Sequence, residues 1–417
     1  MNLEQVLQVA LAESPTIKIA NRDITVKQAY EKEQWASLFP SVALTGSYGR
    51  TLKKQVMAMS MNGQTTKIAV GTDNSWQGGV TLSLPLVAPA LWKTIELSQQ
   101  DVELAVESAR SSKISLISQV KKAYYTVLLA QDSYRVLRQS YSSAEMNAAN
   151  VRDKFNQGLV SEFDRLRADV QVKNMQPNVV AAESGLRLAT MQLKVLMGLD
   201  VNEPVVFDGS LEDYEQQMLA SSELLHQEAS LTDNSSLKQL DLQQQQLETS
   251  IKLLKSAYMP TLSLSANYLY TALNDDFKFS HYNWNPYSML SLSLNIPIYS
   301  GGAKLQKVKQ QQITLQNIAD TRTNLERSLQ LSIDNSLDNM QKAVENLASN
   351  KETVTMAEKA YAISQKQYEV GMNTLIEMND AELALTQSRL AYTQSIYEYM
   401  DALADLENVL GTTVVNE

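Results

Sequence analysis

The chain of 417 residues contains no cysteine, only two histidines and no run of 18 consecutive apolar residues. Without cysteine there is no disulfide framework, no thiolate nucleophile and no zinc–thiolate site, a composition that suits an exported protein. Without a long apolar run there is no transmembrane helix. His226 and His281 stand alone, and no glycine-rich phosphate loop, nucleophile elbow or HExxH motif accompanies them. No catalytic, cofactor-binding or metal-ligating set can be assembled, and none is expected. His281 lies in Asp275–Trp284, between two strand-like runs, and reads as part of a loop. Positive charge is also short. A net charge of −10 and a pI near 5.0 argue against nucleic acid as a partner.

Glycine and proline are missing where they matter most. Ala90–Gln157 and Ala303–Val370 contain neither residue, each stretch is 68 residues long, and each stops at a glycine, Gly158 or Gly371. As helices they would each span roughly 100 Å at about 1.5 Å rise per residue, whereas a globular helix averages about 11–12 residues. Shorter return helices are expected over 159–197 and 372–410. The two rods belong to a tandem repeat. Leu38-Phe39-Pro40 reappears as Tyr258-Met259-Pro260 and Leu84-Pro85-Leu86 as Ile296-Pro297-Ile298; Phe155-Asn156-Gln157-Gly158 reappears as Tyr368-Glu369-Val370-Gly371. The predicted repeats are 1–220 and 221–417, with a shorter connection between the strands of the second. Pro177, inside the first return helix, is expected to kink or interrupt it. Met1 leads directly into an amphipathic pattern of Leu3, Val6, Leu7, Ala10 and Leu11. A signal peptide is therefore absent, and an exported protein would be present here in trimmed form with a start Met added.

Between the rods lie four segments of period 2, about 41–52, 75–86, 261–272 and 287–298. In the first, Val42, Leu44 and Tyr48 face one way and Ser41, Ala43, Thr45 and Ser47 the other; Thr261–Tyr270 repeats the scheme. Tyr48, Trp76, Tyr268, Tyr270, Trp284, Tyr287 and Tyr299 sit toward strand ends, as in an interfacial aromatic girdle. An ordinary sheet with one face on a core shows the same alternation. Geometry separates the two. Transmembrane barrels begin at about 8 strands, and an open edge in lipid costs several kcal/mol per unpaired backbone group. Four strands in a membrane therefore imply several chains sharing one barrel. In the second rod Leu325, Leu329, Ile333, Leu337, Met340, Val344 and Leu347 form one narrow stripe opposite Gln, Asn, Ser and Lys. Such a stripe suits helices side by side in a cylinder wall.

The order of helix, strand pair, rod, glycine turn and return helix, given twice, resembles the TolC family of outer-membrane efflux proteins. Its sharpest motifs are Phe155-Asn-Gln-Gly158-Leu-Val-Ser and Tyr368-Glu-Val-Gly371-Met-Asn-Thr, and the likeness covers essentially the whole chain. The resemblance implies a mixed α and β membrane fold: a homotrimer whose 12-stranded β-barrel, four strands per chain, stands in outer-membrane lipid and continues into a long periplasmic α-helical barrel. It implies a passive exit duct for an inner-membrane transporter, joined through a periplasmic adaptor. Glu377 and Asp380 align with a pore constriction, and their i, i+3 spacing puts them on one helix face. Asp164 and Tyr368 align with a hydrogen-bonded closed-state latch. Asn373 replaces the arginine that completes it, which makes Arg167 a candidate substitute. Gly158, Leu159, Val160, Gly371, Met372 and Thr374 align with the tips where the adaptor docks. A non-porous coiled-coil scaffold or adhesin-like envelope protein is the alternative; such a scaffold has no need of four amphipathic strands.

Overall fold

The computed structural model describes residues 1–61, 64–216, 218 and 230–412, so His226 lies outside the described residues. The elements run α1 (Leu3–Glu13), α2 (Pro15–Ala36), β1 (Ser41–Arg50), β2 (Gln55–Met61), β3 (Gln64–Val70), β4 (Asn74–Val87), α3 (Pro89–Asn156) and α4 (Glu162–Met197). They continue with α5 (Ser235–Ser256), β5 (Thr261–Asn274), β6 (Asn285–Asn295), α6 (Ala303–Glu369) and α7 (Leu375–Leu410). Helices α3 and α6 are unbroken over 68 and 67 residues. With no glycine or proline inside, nothing in either sequence lowers helix propensity enough to stop it. Among the described residues, no helix is long and apolar enough to cross a membrane.

The chain forms two compact units, each drawn from both halves of the sequence: 25–104 with 242–319, and 1–24 with 105–241 and 320–417. The first contains an antiparallel sheet of order β1-β4-β5-β6. Its register aligns Val42 with Leu82, Leu44 with Val80, Leu84 with Leu264, and Leu264 with Leu292. Because side chains alternate along each strand, this register joins the leucines and valines into one apolar face across all four strands. Ser41, Ser83, Ser265 and Ser291 lie in register on the other face. The apolar face is uncovered: Leu44 is 83% exposed and Leu290 73%. Tyr48 lies opposite Trp76 at a ring separation of 4.3 Å, and Phe279 meets Trp76 edge-on at 5.0 Å.

A second, two-stranded sheet departs from the expected loop. β2 and β3 pair from Gln55–Val70 to Met61–Gln64, a hairpin where only a connection was predicted. In the second half the equivalent stretch holds a single 3-10 turn, Phe279–His281, with His281 exposed. The hairpin is what lengthens the connection in the first half.

In the second unit a core gathers around Tyr124, Leu128, Leu193, Met197, Met340, Ile396 and Tyr399, with Val6, Leu7 and Ala10 of α1 against it. The predicted stripe on α6 is its contribution. Ile333, Met340 and Leu347 are buried, and Leu337 and Val344 pack beside them. Pro177 does not interrupt α4, which continues through it. The proline and Lys173, whose carbonyl loses its helical partner, are both exposed, so water can satisfy the freed oxygen.

Candidate functional site at the helix tips

The rods end in two turns built the same way. At the first, the N–H groups of Gly158 and Leu159 donate to the carbonyls of Phe155 and Lys154 at 2.9 Å each. At the second, Gly371 donates to Tyr368 at 3.2 Å and Met372 to Gln367 at 2.8 Å. Both glycines are left-handed, at φ of +72° and +76°, a conformation that L side chains adopt at a cost. A Cβ at either position would meet no atom within 4 Å, so backbone conformation and not space selects glycine.

Each return helix then starts on a reciprocal cap. Ser161 caps α4: its Oγ accepts from the Asp164 N–H, and the Asp164 carboxylate accepts from the Ser161 hydroxyl at 2.6 Å and its N–H at 3.3 Å. Thr374 and Glu377 repeat the device on α7, where the carboxylate accepts from the Thr374 hydroxyl at 2.8 Å and its N–H at 2.9 Å. These caps delay the return helices to residues 162 and 375, three residues later than predicted. Ser-x-x-Asp and Thr-x-x-Glu are the sequence signature of such boxes.

The two tips pack on each other through Ala148, Val151, Ala168, Leu375 and Met378. Beside this contact lies a cavity of about 440 Å³ lined by residues of both turns, including Leu159, Val160, Asp164, Tyr368, Gly371, Asn373 and Thr374. The expected latch residues and most of the expected docking residues therefore meet in one place. Gly158 and Met372 lie outside that lining and are exposed at the turns.

The expected Asp164–Tyr368 hydrogen bond is not formed in the single chain. The Asp164 carboxylate is engaged at its cap, and the Tyr368 hydroxyl has no hydrogen-bond partner among the described residues. The two are nonetheless close enough to interact, since burial first and the Asp164 charge second push the phenol above its usual range. The Tyr368 ring carries the Lys154 ammonium at 4.6 Å. Asn373 turns away from the pair; its amide donates to Ser364 Oγ at 2.6 Å and its oxygen accepts from the Thr374 N–H at 2.9 Å. Arg167 lies over the Phe163 ring at 6.0 Å. Glu377 and Asp380 are both exposed on α7. Hydrogen bonds from the Thr374 backbone and hydroxyl hold the Glu377 carboxyl below its usual range.

One residue escaped the sequence reading. Leu375, Met378, Glu382, Leu385, Arg389, Tyr392 and Ile396 follow one heptad seam along α7, and Glu382 sits on it with 5% of its surface exposed. A charge at an apolar heptad position is the signal that marks it.

Amphipathic strands with a bare apolar face, unbroken rods and capped glycine tips together fit a membrane channel. The chain belongs to the outer membrane efflux protein family, whose model matches residues 6–199 and 227–412. It is similar to the outer membrane protein TolC of Escherichia coli K12, 24% identical over 434 residues and covering 99% of this chain and 82% of that protein. It is also similar to TolC of Vibrio cholerae, 22% identical over 379 residues, 90% of this chain and 83% of the relative. Among solved structures, the open state of the Neisseria gonorrhoeae MtrE outer membrane channel matches with a TM-score of 0.77. That match has 16% identity and covers 98% of this chain and 88% of that one. The chain is thus an outer-membrane exit duct of an efflux system, with its strands in the outer membrane and its helical rods in the periplasm. The family is one of ducts, not of enzymes.

Proposed function

We propose that three copies of this chain close one 12-stranded barrel and that the duct conducts cargo passively, fed by a periplasmic adaptor and an inner-membrane pump. One observation carries the reading: a four-stranded sheet with a bare apolar face and two edges, β1 and β6, that are unpaired among the described residues. In hydrocarbon each unpaired edge group costs several kcal/mol. Four strands fall short of the smallest barrels, whereas β6 of one copy against β1 of the next, three times over, leaves no edge. In this reading the two halves, 1–220 and 221–417, are repeats that make the sixfold likeness of the wall. The matching glycine turns and caps support that.

The tips supply the gate. Three copies of exposed Glu377 and Asp380 concentrate carboxylates at a constriction, which favours cations. Asp164, Tyr368 and Asn373 line the cavity between the tips and serve as the latch. Gly158, Leu159, Val160, Gly371, Met372 and Thr374 offer the surface on which the adaptor docks. Native mass measurement of the full chain in detergent tests the assembly. A trimer is expected, and a stable monomer that keeps its full β signal would overturn it.

A further inference from the structure

The buried carboxylate of Glu382 faces a second cavity, of about 370 Å³, between α3, α6 and α7. Ser140 and Ser143 of α3, Glu358 and Tyr361 of α6, and Arg389 of α7 line it with Glu382. The charges there do not balance. Arg389 donates to Glu358 at 2.8 Å and to the Gln139 amide oxygen at 3.2 Å, so that cation and one of the two acids are spent on each other. Both oxygens of Glu382 are buried and have no hydrogen-bond partner among the described residues. A charge buried without a counter-charge is costly. Burial alone pushes this carboxyl up to about 7, so above neutral pH the site holds an uncompensated negative charge. The Tyr361 hydroxyl adjoins it, its pKa raised first by burial and then by the Glu382 charge.

The repeat shows what is missing. Since 382 − 213 = 169, the counterpart of Glu382 is Asp169, a half-buried acid. Asp169 is neutralised from within, by Arg152 at 2.9 Å and Arg165 at 3.8 Å. The positions that supply those arginines, shifted by 213, are Gln365 and Met378. The second half keeps the acid and lacks both cations.

We propose that this cavity binds one compact, singly charged cation, alkali or primary ammonium, against the Glu382 carboxylate with the Ser143 and Tyr361 hydroxyls as neutral ligands. A divalent ion is disfavoured, because the second carboxylate is held by Arg389 and no cluster of three or more acidic, histidine or cysteine ligands exists among the described residues. The inference is independent of the trimer and the gate.

The test uses the full chain in detergent at pH 8, in N-methylglucamine chloride, with sodium, potassium or methylammonium chloride exchanged in at constant ionic strength. Exchange should raise the thermal midpoint of the helical signal by about 2 °C for a cation at ten times its Kd. A shift with sodium or potassium alone identifies an alkali site; one with methylammonium alone identifies an ammonium site. Glu382→Gln should lose the response, and Glu352→Gln, on the exposed face of α6, should keep it. Gln365→Arg, which restores the Arg152 counterpart, should abolish the response with the fold intact, so the result does not hang on one variant. Equal midpoints in all four salts, or a Glu382→Gln protein that still responds, would overturn the proposal.

Discussion

The two tips share a backbone and differ in charge. Both turn through a left-handed glycine, both start the return helix on a hydroxyl cap with an acid three residues on, and both return helices are 36 residues long. The offset of 213 maps Ser161 onto Thr374, Asp164 onto Glu377, Phe155 onto Tyr368 and Arg167 onto Asp380. The acid assigned to the latch and the acid assigned to the constriction are thus one structural position used twice. What differs is the surrounding charge. The first tip carries Arg152, Arg165 and Arg167, and its acids are paired with them at Asp169 and Glu162. The second carries Met378 and Asp380 in place of two of those arginines, and leaves Glu382 alone. The two tips share their caps and glycines and differ in the charges around them.

Glu382 offers the largest way to break the comparison. Its carboxyl stands at about 7 in the folded chain against 4.5 in the unfolded one, so folding takes up a proton between those values. The stabilisation is whole below pH 4.5 and is lost as the pH rises through about 7. The difference corresponds to about 3 kcal/mol per chain, measured in a salt of a bulky cation. Denaturation followed by helical circular dichroism at pH 5 and pH 8 should show this loss in the wild type and a flatter profile in Glu382→Gln. A wild-type profile as flat as the variant's would mean that the seam acid is compensated after all.

The turns themselves should respond alike in both halves. Gly158→Ala and Gly371→Ala each force a left-handed L residue, at about 1–2 kcal/mol, with no added clash since both sites are open. Ser161→Ala and Thr374→Ala each remove a cap worth about 1 kcal/mol. Chemical denaturation of the four variants should give two matched pairs. A mismatch within either pair would show that one tip is held by something beyond its cap.

Much of this was legible in the residues. The rods announce themselves by what they exclude, and the strands by a regular alternation that puts Leu44 with Val42 and Leu264 with Leu262 on one face of their own strands; the register that joins those faces across strands is a structural finding. The α6 stripe from Leu325 to Leu347 was readable because burial follows helical periodicity even where the opposite face is wet. The hairpin was missed although Met57, Met59 and Met61 alternate before Asn62-Gly63, a strong hairpin dipeptide. Short polar strands make a weak signal beside long apolar ones. The capping boxes engage Asp164 and Glu377 locally in the single chain, a role that Ser-x-x-Asp and Thr-x-x-Glu signal in sequence and that the family resemblance does not supply. Glu382 is hard to read from sequence because a lone acid in an apolar register has the same local spelling as a solvated one, and only packing buries it.

The smallest effect on stability, and the sharpest test of the tips, comes from Tyr368→Phe. The first half already carries Phe155 at this position, under the Arg165 guanidinium at 5.2 Å, and its turn is formed without a hydroxyl. The Tyr368 oxygen is buried and makes no hydrogen bond among the described residues, while its ring holds the Lys154 ammonium. Removing an unpaired buried hydroxyl leaves the ring contact in place and relieves a desolvated oxygen, so stability should change by less than about 0.5 kcal/mol. A latch acts only in the assembled channel. If the phenol reaches Asp164 there, Tyr368→Phe should raise single-channel conductance in planar bilayers at unchanged stability, and the reciprocal Phe155→Tyr should not. Loss of stability with unchanged conductance would make Tyr368 a packing residue like its counterpart, and the two tips would then differ in charge alone.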